Sequence, residues 1–279
     1  MSPPSTALVL GGGGITGIAW ELGLIAGLAE GGVDLSRAQV VIGTSAGSVV
    51  GAQITSGEAV EDLYAGQLEP PDREIGAHFG LSSMVRLGVM MALPGSGRRR
   101  RRRVGRAAMR VTSVPVAERV QVIRSRLGTR AWPDRRLLVI AVDAESGATT
   151  VFDRDSGVGL VEAVAASCAV PLVWPPVPIN GRRYVDGGIR SSTNADLATG
   201  VDRVVVLAPL PKSFNKAGRI DNQLAKLGTE VRSAVVSPDA AALKAIGRNV
   251  LDPAQRAAAA RAGRRQAADV LDHVRTVWP

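Results

Sequence analysis

Two apolar runs near the start of the chain each end in glycine and are followed by a segment with helical spacing. Residues 7–10 are apolar and precede four glycines, and residues 18–30 place apolar side chains at helical intervals. The β-branched run at residues 40–42 repeats this order, with Gly-Thr-Ser-Ala-Gly and then the small-residue segment 48–55 behind it. The pattern predicts two strand–loop–helix units in succession.

Strand patterns are missing from residues 58–128, where helix-like pieces are interrupted by four prolines, Pro70, Pro71, Pro94 and Pro115. We expect this stretch to be a helical insertion, which we call the lid. Strand patterns return at residues 137–142, and residues 149–152 are their expected hairpin partner across Ser146-Gly147.

The last third of the chain contains a turn signal that places one acidic residue. Asn180-Gly181 separates two short apolar runs and predicts a two-residue hairpin turn. Asp186 therefore falls where the returning strand ends. Residues 204–207 form the last expected strand, and the tail, residues 217–279, is rich in alanine and arginine and predicts helices.

These elements together predict one domain of the α/β class that accounts for all 279 residues. We expect three layers, α/β/α, with a mainly parallel central sheet and a core formed by residues 7–210. Hydrophobic residues make up 46% of the chain but aromatic residues only 3%. The core must therefore be built from Ala, Val, Leu and Ile, which suits buried parallel strands.

The net charge of +9 is concentrated in one segment. The six consecutive arginines from Arg98 to Arg103 and the nearby Arg106 and Arg110 supply eight positive charges, and 9 − 8 leaves +1 for the rest. Without interleaved aromatics or a binding module, the run does not predict specific nucleic-acid recognition.

The apolar segment 84–93 directly precedes the arginine run and admits two interpretations. An apolar helix beside a cationic segment is typical of proteins that make a peripheral contact with anionic membranes. The alternative is a helix packed on the body of the protein, followed by a solvated arginine loop. We favour the packed helix, because Met-rich helices are more often packing elements.

The N-terminus and the cysteine content suggest a compartment. The first six residues lack a basic segment, and the apolar run behind them is too short for a signal peptide or a membrane span. Cys168 is the single cysteine, so no intrachain disulfide can form. We expect a cytoplasmic protein that is peripheral at a membrane surface if the arginines contact lipid.

Ser45 stands at the centre of a G-x-S-x-G motif, from Gly43 to Gly47, between the second strand and its helix. In such a motif the serine lies on a strained turn, and the small flanking residues let the backbone bend. The spacing alone is weak evidence, because the chain contains 32 glycines. An alternative is that Ser45 only caps the helix.

The glycine loop at residues 11–17 also lies between a strand and a helix. It directs backbone N–H groups and a helix N-terminus at one point, which favours an anion. In an acyl hydrolase that anion is the tetrahedral oxyanion, for which each fixed donor is worth about 3 kcal/mol. The alternative is a dinucleotide site, since the loop satisfies G-x-G-x-x-G, but Asp34 precedes the second strand instead of ending it.

Asp186 begins an Asp-Gly-Gly sequence, which is either a turn or the position of a catalytic base. The chain has only two histidines, and the order Ser45, Asp186, His273 matches the triad order of α/β-hydrolases. His273 falls inside a helical pattern, however, whereas triad histidines normally occupy loops, and His78 falls in the lid. We therefore favour Asp186 as the only protein base and keep the triad as an alternative.

Three motifs in this order resemble the patatin-like phospholipases, a family of lipid acyl hydrolases with a Ser–Asp dyad. They lie at residues 12–17, 43–47 and 186–188, with the segment Ala-Ala-Ser-Cys-Ala-Val-Pro at 165–171 between the last two. The resemblance covers roughly residues 7–210. It implies Ser45 as nucleophile and Asp186 as proton acceptor, amides among Gly12, Gly13 and Gly14 as the oxyanion hole, and further motif glycines at Gly17, Gly43, Gly47, Gly187 and Gly188.

One position departs from the family pattern. Where the family usually carries Arg or Lys before the last glycine of the loop, this chain has Thr16. The change removes a positive charge near the acyl or headgroup site. It affects the expected preference for phospholipid more than the expected hydrolysis.

The sequence thus predicts a serine acyl hydrolase that cleaves carboxylic ester bonds of lipids without a metal or a cofactor. For Asp186 to take the Ser45 proton directly, partial desolvation must raise its pKa. The alternative from another class is a catalytically silent protein that binds lipids or anions and keeps the motifs.

Overall fold

The computed structural model describes residues 4–70, 81–128, 131–211, 213 and 216–278. The strands are β1 (Thr6–Leu10), β2 (Val40–Thr44), β3 (Arg136–Asp143), β4 (Thr149–Phe152), β5 (Val177–Ile179), β6 (Arg182–Asp186), β7 (Arg203–Leu207) and β8 (Arg232–Val236). The α-helices are α1 (Gly14–Glu30), α2 (Ala46–Ile54), α3 (Val60–Leu68), α4 (Leu81–Ala92), α5 (Gly97–Ala108), α6 (Val116–Leu127), α7 (Leu160–Ser167), α8 (Ile220–Leu224), α9 (Ala240–Ile246) and α10 (Arg256–Arg275).

The strands form one mixed sheet in the order β5-β6-β3-β2-β1-β7-β8, with β4 also paired to β3. Strands β3, β2, β1, β7 and β8 run parallel, whereas β4 and β6 are antiparallel to β3, and β5 is antiparallel to β6. Helices cover both faces. The structure therefore confirms the α/β fold with a mainly parallel sheet and the two hairpins expected at Ser146-Gly147 and Asn180-Gly181.

Alternating side chains of the central strands enter two separate apolar clusters. In β1, Leu8 and Leu10 join the larger cluster with α1, α2, α7 and α10, while Ala7 and Val9 join a smaller cluster on the other face. The alternation follows from the two-residue period of a strand. Because both clusters are buried, the central strands read as continuous apolar runs in the sequence.

The sheet register brings the ends of three strands to one edge. Thr44, which ends β2, is paired with Ile140 of β3, and the next residue of β3, Ala141, is paired with Asp186 of β6. Neighbouring strands lie about 4.8 Å apart, so the ends of β2 and β6 are separated by about 10 Å. The glycine loop follows β1, the other neighbour of β2, so it reaches the same edge.

The tail contains a strand that the sequence reasoning missed. Residues 204–207 were expected to form the last strand, but β8 (Arg232–Val236) adds one more in parallel to β7. Among the described strands it pairs only with β7, and its first two residues are exposed. The expectation of a purely helical tail is therefore wrong.

The arginine run was expected to be a solvated loop, and this expectation is also wrong. It lies in helix α5, whose N-cap Ser96 accepts the amide of Arg99. Four of the arginine side chains donate to backbone carbonyls of helix α4 and of the β3–β4 turn, namely Arg100 to Met91, Arg103 to Met90, Arg98 to Ser146 and Arg101 to Gly147. These bonds hold α5 against the body and satisfy carbonyls at the end of α4.

The tail helix α10 packs closely along α1. Glycines at the contact, Gly23, Gly27 and Gly263, leave no room for a Cβ atom against the backbone of the facing helix. The indole Nε1 of Trp20 donates to Gln266 at 3.0 Å inside this contact. Within the described part of the chain, no helix combines the length and apolar character needed to span a bilayer.

Candidate active site

Ser45 occupies a strained turn between β2 and α2. Its backbone angles are φ 53° and ψ −115°, a region that residues other than glycine rarely adopt, and only 6% of the residue is exposed. The flanking glycines make the turn possible. A Cβ at Gly43 would lie 2.5 Å from the Cα of Ser48, and one at Gly47 would clash with the Leu10 carbonyl.

The turn is fixed by hydrogen bonds to the backbone of Ser45. Its N–H donates to Ser167 Oγ at 2.9 Å, and Ser167 Oγ donates in turn to the carbonyl of Ile140 in β3 at 2.7 Å. The Ser45 carbonyl accepts the hydroxyl of Ser48 at 2.6 Å. Ser167 belongs to the segment at 165–171 that contributed to the sequence resemblance, and its position explains how that segment supports Ser45.

Asp186 ends β6 and is 5% exposed. Its Oδ1 accepts the amide of Gly188 at 2.7 Å, and its own amide donates to Ala169 at 3.0 Å. Burial raises the pKa of the Asp186 carboxyl to about 6, while a hydrogen bond from the Ser45 side chain, the Gly188 amide and the charge of Arg119 lower this pKa in part. The structure thus brings Ser45 and Asp186 into side-chain contact.

The glycine loop lies beside Ser45, but not all of its amides are free to donate to an oxyanion. The N–H of Gly12 already donates to the carbonyl of Ser192 at 2.8 Å, so the structure does not support Gly12 as an oxyanion donor. Gly12 lies beside the serine, since a Cβ there would make van der Waals contact with the Cβ of Ser45 at 3.6 Å. The amides of Gly13 and Gly14 have no acceptor among the described residues and stand at the start of α1.

The same loop depends on other buried contacts. A Cβ at Gly13 would lie 2.6 Å from the Cβ of Pro209, and Gly14 has a positive φ of 62°. Gly17 also packs against Pro209, where an added Cβ would lie 3.3 Å from its Cβ. These positions therefore need glycine for the shape of the loop as well as for its amides.

A buried carboxyl group that the sequence reasoning missed lies beneath the glycine loop. Glu21 Oε1 accepts the amide of Gly11 at 2.9 Å, while the same amide also donates to the Leu207 carbonyl at 3.0 Å. Burial raises the pKa of Glu21 well above its usual value. The available signal for Glu21 was an acidic residue within an otherwise apolar helical pattern. Acidic side chains are rarely buried without a partner, so this position indicates a specific contact.

The cavity at Ser45 has a volume of about 20 Å³, close to the minimum for one water molecule. The lid and the tail both contribute to its wall, with Arg119 and Arg126 from α6 and Leu251 from the segment before α10. Arg119 is 5% exposed, and its guanidinium carbon lies 4.4 Å from the ring centre of Trp174. These residues were not predicted, because nothing in their local sequence relates them to Ser45.

Thr16 connects the loop to the tail. It is fully buried, and both its amide and its hydroxyl donate to the Val250 carbonyl, at 3.1 and 3.4 Å. The uncharged side chain therefore serves as an attachment for the segment that carries Leu251. A positive charge in the cavity comes instead from α6.

His273 does not reach Ser45 and Asp186. His273 is exposed in the last turn of α10, where the nearby Arg275 side chain donates to the Gly31 carbonyl at the far end of α1. Helix α1 is 17 residues long, so this end lies about 24 Å from the glycine loop. His78 lies outside the described residues. The structure does not assemble the alternative triad, and no group of metal-binding side chains occurs among the residues that it describes.

Comparisons with known proteins identify a family and similar folds. A family model described as patatin-like phospholipase matches residues 8–199. The crystal structure of VipD from Legionella pneumophila is similar with a TM-score of 0.50 and 16% sequence identity, covering 98% of this chain and 67% of that one. The type III effector protein ExoU is similar with a TM-score of 0.43 and 16% identity, covering 97% of this chain and 53% of that one. No curated protein matches the sequence.

Proposed function

Because the chain belongs to the patatin-like phospholipase family, we propose that it is a serine acyl hydrolase that cleaves carboxylic ester bonds of lipids. The observation that carries the proposal is the contact between the Ser45 side chain and the buried Asp186 carboxyl, whose pKa is about 6. A carboxylate with this pKa is a stronger base than an exposed one and is still ionised at neutral pH. The strained turn at Ser45 adds the second feature of a nucleophile.

The proposed reaction has two steps. Asp186 takes the proton of the Ser45 hydroxyl while Oγ attacks the ester carbonyl, and the amides of Gly13 and Gly14 stabilise the oxyanion. The bond between the acyl carbon and the alcohol oxygen then breaks, and Asp186 returns the proton to the leaving alcohol. In the second step Asp186 takes a proton from water, which attacks the acyl carbon. The bond between this carbon and Ser45 Oγ then breaks, and Asp186 returns the proton to Oγ as the fatty acid leaves.

A fluorophosphonate probe tests the proposal directly, because it labels only activated serines. We expect covalent labelling of the wild-type chain and its loss in Ser45→Ala. Ser56→Ala is the control, because Ser56 is an exposed serine in the turn after α2. Asp186→Asn should remain folded and lose labelling. An unlabelled wild-type chain would instead support the alternative of a catalytically silent protein that binds lipids or anions.

A peripheral contact with anionic membranes is a separate part of the proposal. Val85 and Val89 of helix α4, and Leu93 directly after it, are exposed by 56%, 55% and 42%, at the spacing of one helix face. Helix α4 packs against α5, whose Arg99 and Arg102 side chains are exposed. An exposed apolar stripe beside cationic side chains supports binding at the surface of an anionic bilayer.

Vesicle flotation with and without anionic lipid measures this contact. We expect Arg99→Ser combined with Arg102→Ser to weaken binding to anionic vesicles, by about 1 kcal/mol for each arginine. The matched control replaces two exposed arginines of α10, Arg261 and Arg265. Equal binding by both double variants would remove the membrane contact from the proposal. The expectation of a cytoplasmic location also stays a prediction.

A further inference from the structure

Asn194 places a fully buried side-chain amide next to the candidate site. The residue is 0% exposed and adopts the left-handed backbone conformation, with φ 54° and ψ 35°, which Asn tolerates better than most residues. Its Oδ1 accepts the guanidinium of Arg190 at 2.6 Å, and its Nδ2 donates to Thr44 Oγ1 at 3.0 Å and to the Ser191 carbonyl at 2.9 Å. A donor at one end and acceptors at the other define the orientation of the amide.

This side-chain amide connects the segment that carries the nucleophile to the segment that carries the base. Thr44 is the last residue of β2 and directly precedes Ser45. Gly187 directly follows Asp186, and its carbonyl lies 3.5 Å from the Nδ2 that donates to Thr44. The backbone amide of Ser191 also donates to the Gly187 carbonyl, at 3.4 Å. One nitrogen therefore contacts residues next to both members of the proposed dyad.

We propose that Asn194 is a positioning residue that keeps Ser45 and Asp186 within reach for proton transfer. The inference rests on the proposed function, because it concerns the reaction between these two residues. Strand β3 separates β2 from β6, so the ends of these two strands are about 10 Å apart and cannot pair with each other. The side chains of Ser45 and Asp186 meet beyond the strand ends, where the sheet no longer fixes the backbone. Asn194 supplies the link across this gap.

A network of charged groups holds Asn194 in place. The Arg190 guanidinium that donates to Asn194 also forms two hydrogen bonds with the Asp196 carboxylate, at 2.9 and 2.7 Å. Asp196 accepts further hydrogen bonds from Gln223 at 3.0 Å and from Lys226 at 3.1 Å. Although burial raises the pKa of Asp196, the Arg190 and Lys226 side chains lower it overall, so the carboxylate stays ionised. Charge-assisted hydrogen bonds are strong in a buried network, so this network fixes the Asn194 side chain.

Two buried threonines allow this role to be separated from a loss of stability. Thr44 and Thr193 are both 0% exposed. The Thr44 hydroxyl accepts the Asn194 amide, whereas the Thr193 hydroxyl donates to Gln223 Oε1 at 3.1 Å. Valine has nearly the shape of threonine without the hydroxyl, so Thr44→Val and Thr193→Val each remove a buried hydrogen bond and should lower the urea midpoint of unfolding to a similar extent. Of the two, only Thr44→Val breaks the link to Asn194.

The first experiment compares these variants in the hydrolysis of p-nitrophenyl acetate. A displacement of Ser45 by about 1 Å is enough to lower the rate about 100-fold, so we expect Thr44→Val and Asn194→Ala to lower kcat by about this factor and to change KM by less than about twofold. Both changes act on one bond, so the double variant should be no slower than the slower single variant. Thr44→Ser keeps the hydroxyl and should recover most of the lost kcat, and Thr193→Val should retain wild-type kcat. Equal kcat for Thr44→Val and Thr193→Val would overturn the role of Asn194.

The pKa of Asp186 provides a second readout that does not need turnover. Burial raises this pKa to about 6, and a hydrogen bond from the Ser45 side chain lowers it in part, so moving Ser45 away should raise it further. The pKa is measured from the free energy of unfolding of Asp186→Asn minus that of its parent, which rises with pH until Asp186 is ionised. This rise should extend to higher pH in the Thr44→Val background than in the Thr193→Val background. The same pH range in both backgrounds, or a lower one for Thr44→Val, would overturn the inference.

The two readouts distinguish a failure of this inference from a failure of the proposed function. If the wild type hydrolyses no ester but the pH range shifts upward in the Thr44→Val background, the hydrolase proposal fails while the positioning role of Asn194 is retained. If the wild type hydrolyses the ester, and both kcat and the pH range are the same for the two valine variants, the positioning role fails alone.

Discussion

Replacing Asp186 by Asn should abolish hydrolysis and yet stabilise the folded chain at neutral pH. The Asp186 carboxyl is 5% exposed, and burial raises its pKa from 3.8 to about 6. A raised pKa means that the folded state holds the proton more tightly than the unfolded state does. The contribution of this group to stability is fully present below the unfolded pKa and is lost as the pH rises through the folded pKa.

The size of the effect follows from the shift. A change from 3.8 to about 6 is about two pKa units, and each unit corresponds to 1.36 kcal/mol. The ionised wild-type carboxylate therefore lowers the free energy of unfolding by about 3 kcal/mol relative to the protonated form. Asparagine cannot ionise, so the variant should avoid this loss. Most of the difference in free energy of unfolding between Asp186→Asn and wild type should develop between about pH 4 and pH 7.

Urea denaturation across this pH range measures the effect. The free energy of unfolding of Asp186→Asn minus that of wild type should rise by about 2 to 3 kcal/mol from acid to neutral pH. Comparing the two proteins at each pH cancels the other titrating groups and the pH-independent effect of the asparagine contacts. A difference that stays flat with pH would refute the claim that burial raises this pKa.

Asp143 supplies a matched control of the opposite sign. It is also a buried carboxyl, but the amides of Glu145 and Ser146 and the Arg182 side chain donate to it at 3.0, 2.8 and 3.0 Å. Although burial alone raises its pKa, these hydrogen bonds together lower it. Its contribution to stability is present above the unfolded pKa and lost as the pH falls. The free energy of unfolding of Asp143→Asn minus that of wild type should therefore decrease as the pH rises.

Three further outcomes follow from the site. Hydrolysis of p-nitrophenyl acetate should need ionised Asp186, so kcat/KM should rise tenfold per pH unit below about pH 6 and level off above it. A profile without this rise and plateau would contradict a role for Asp186 as base. Ser167→Ala removes the acceptor of the buried Ser45 amide, so it should lower the free energy of unfolding, measured in urea, by about 1–3 kcal/mol. It should also lower kcat. Full activity would show that the strained turn does not need this hydrogen bond. His273→Ala should retain wild-type kcat/KM, because this side chain is exposed in the last turn of α10, remote from Ser45. An inactive but folded variant would support the alternative triad.

The sequence predicted those parts of the fold that depend on local patterns. The two strand–loop–helix units and both hairpins combine an apolar run with a glycine or Asn-Gly turn, and each appears in the sheet. Strand β8 was missed because its first two residues, Arg232 and Ser233, are polar and exposed, and because it lies at the end of the sheet and is defined by pairing with β7. Helix α5 was missed because mutual repulsion of six arginines argues against a helix, whereas carbonyl acceptors on neighbouring elements stabilise it.

The candidate site was predictable only where a motif identified it. Ser45, Asp186 and the glycines lie in motifs, so their positions at one sheet edge could be expected from the order of strands. Arg119, Trp174 and Leu251 reach the cavity from three distant parts of the chain. Their roles depend on tertiary packing, and a single sequence carries no local signal for it. The occupied amide of Gly12 is likewise decided by a contact with Ser192, which is remote in sequence.

Helix α1 packs closely against α10, so the unit that folds is longer than the region that matches the family. The family match ends at residue 199, yet the buried face of α1 is completed by glycine-lined packing against residues 256–275 and by the bond from Trp20 to Gln266. A fragment cut at the homology boundary would leave this face open to water and lose the support behind the glycine loop. Expression trials of the minimal homologous fragment should therefore yield aggregates, and the shortest soluble form should retain α10.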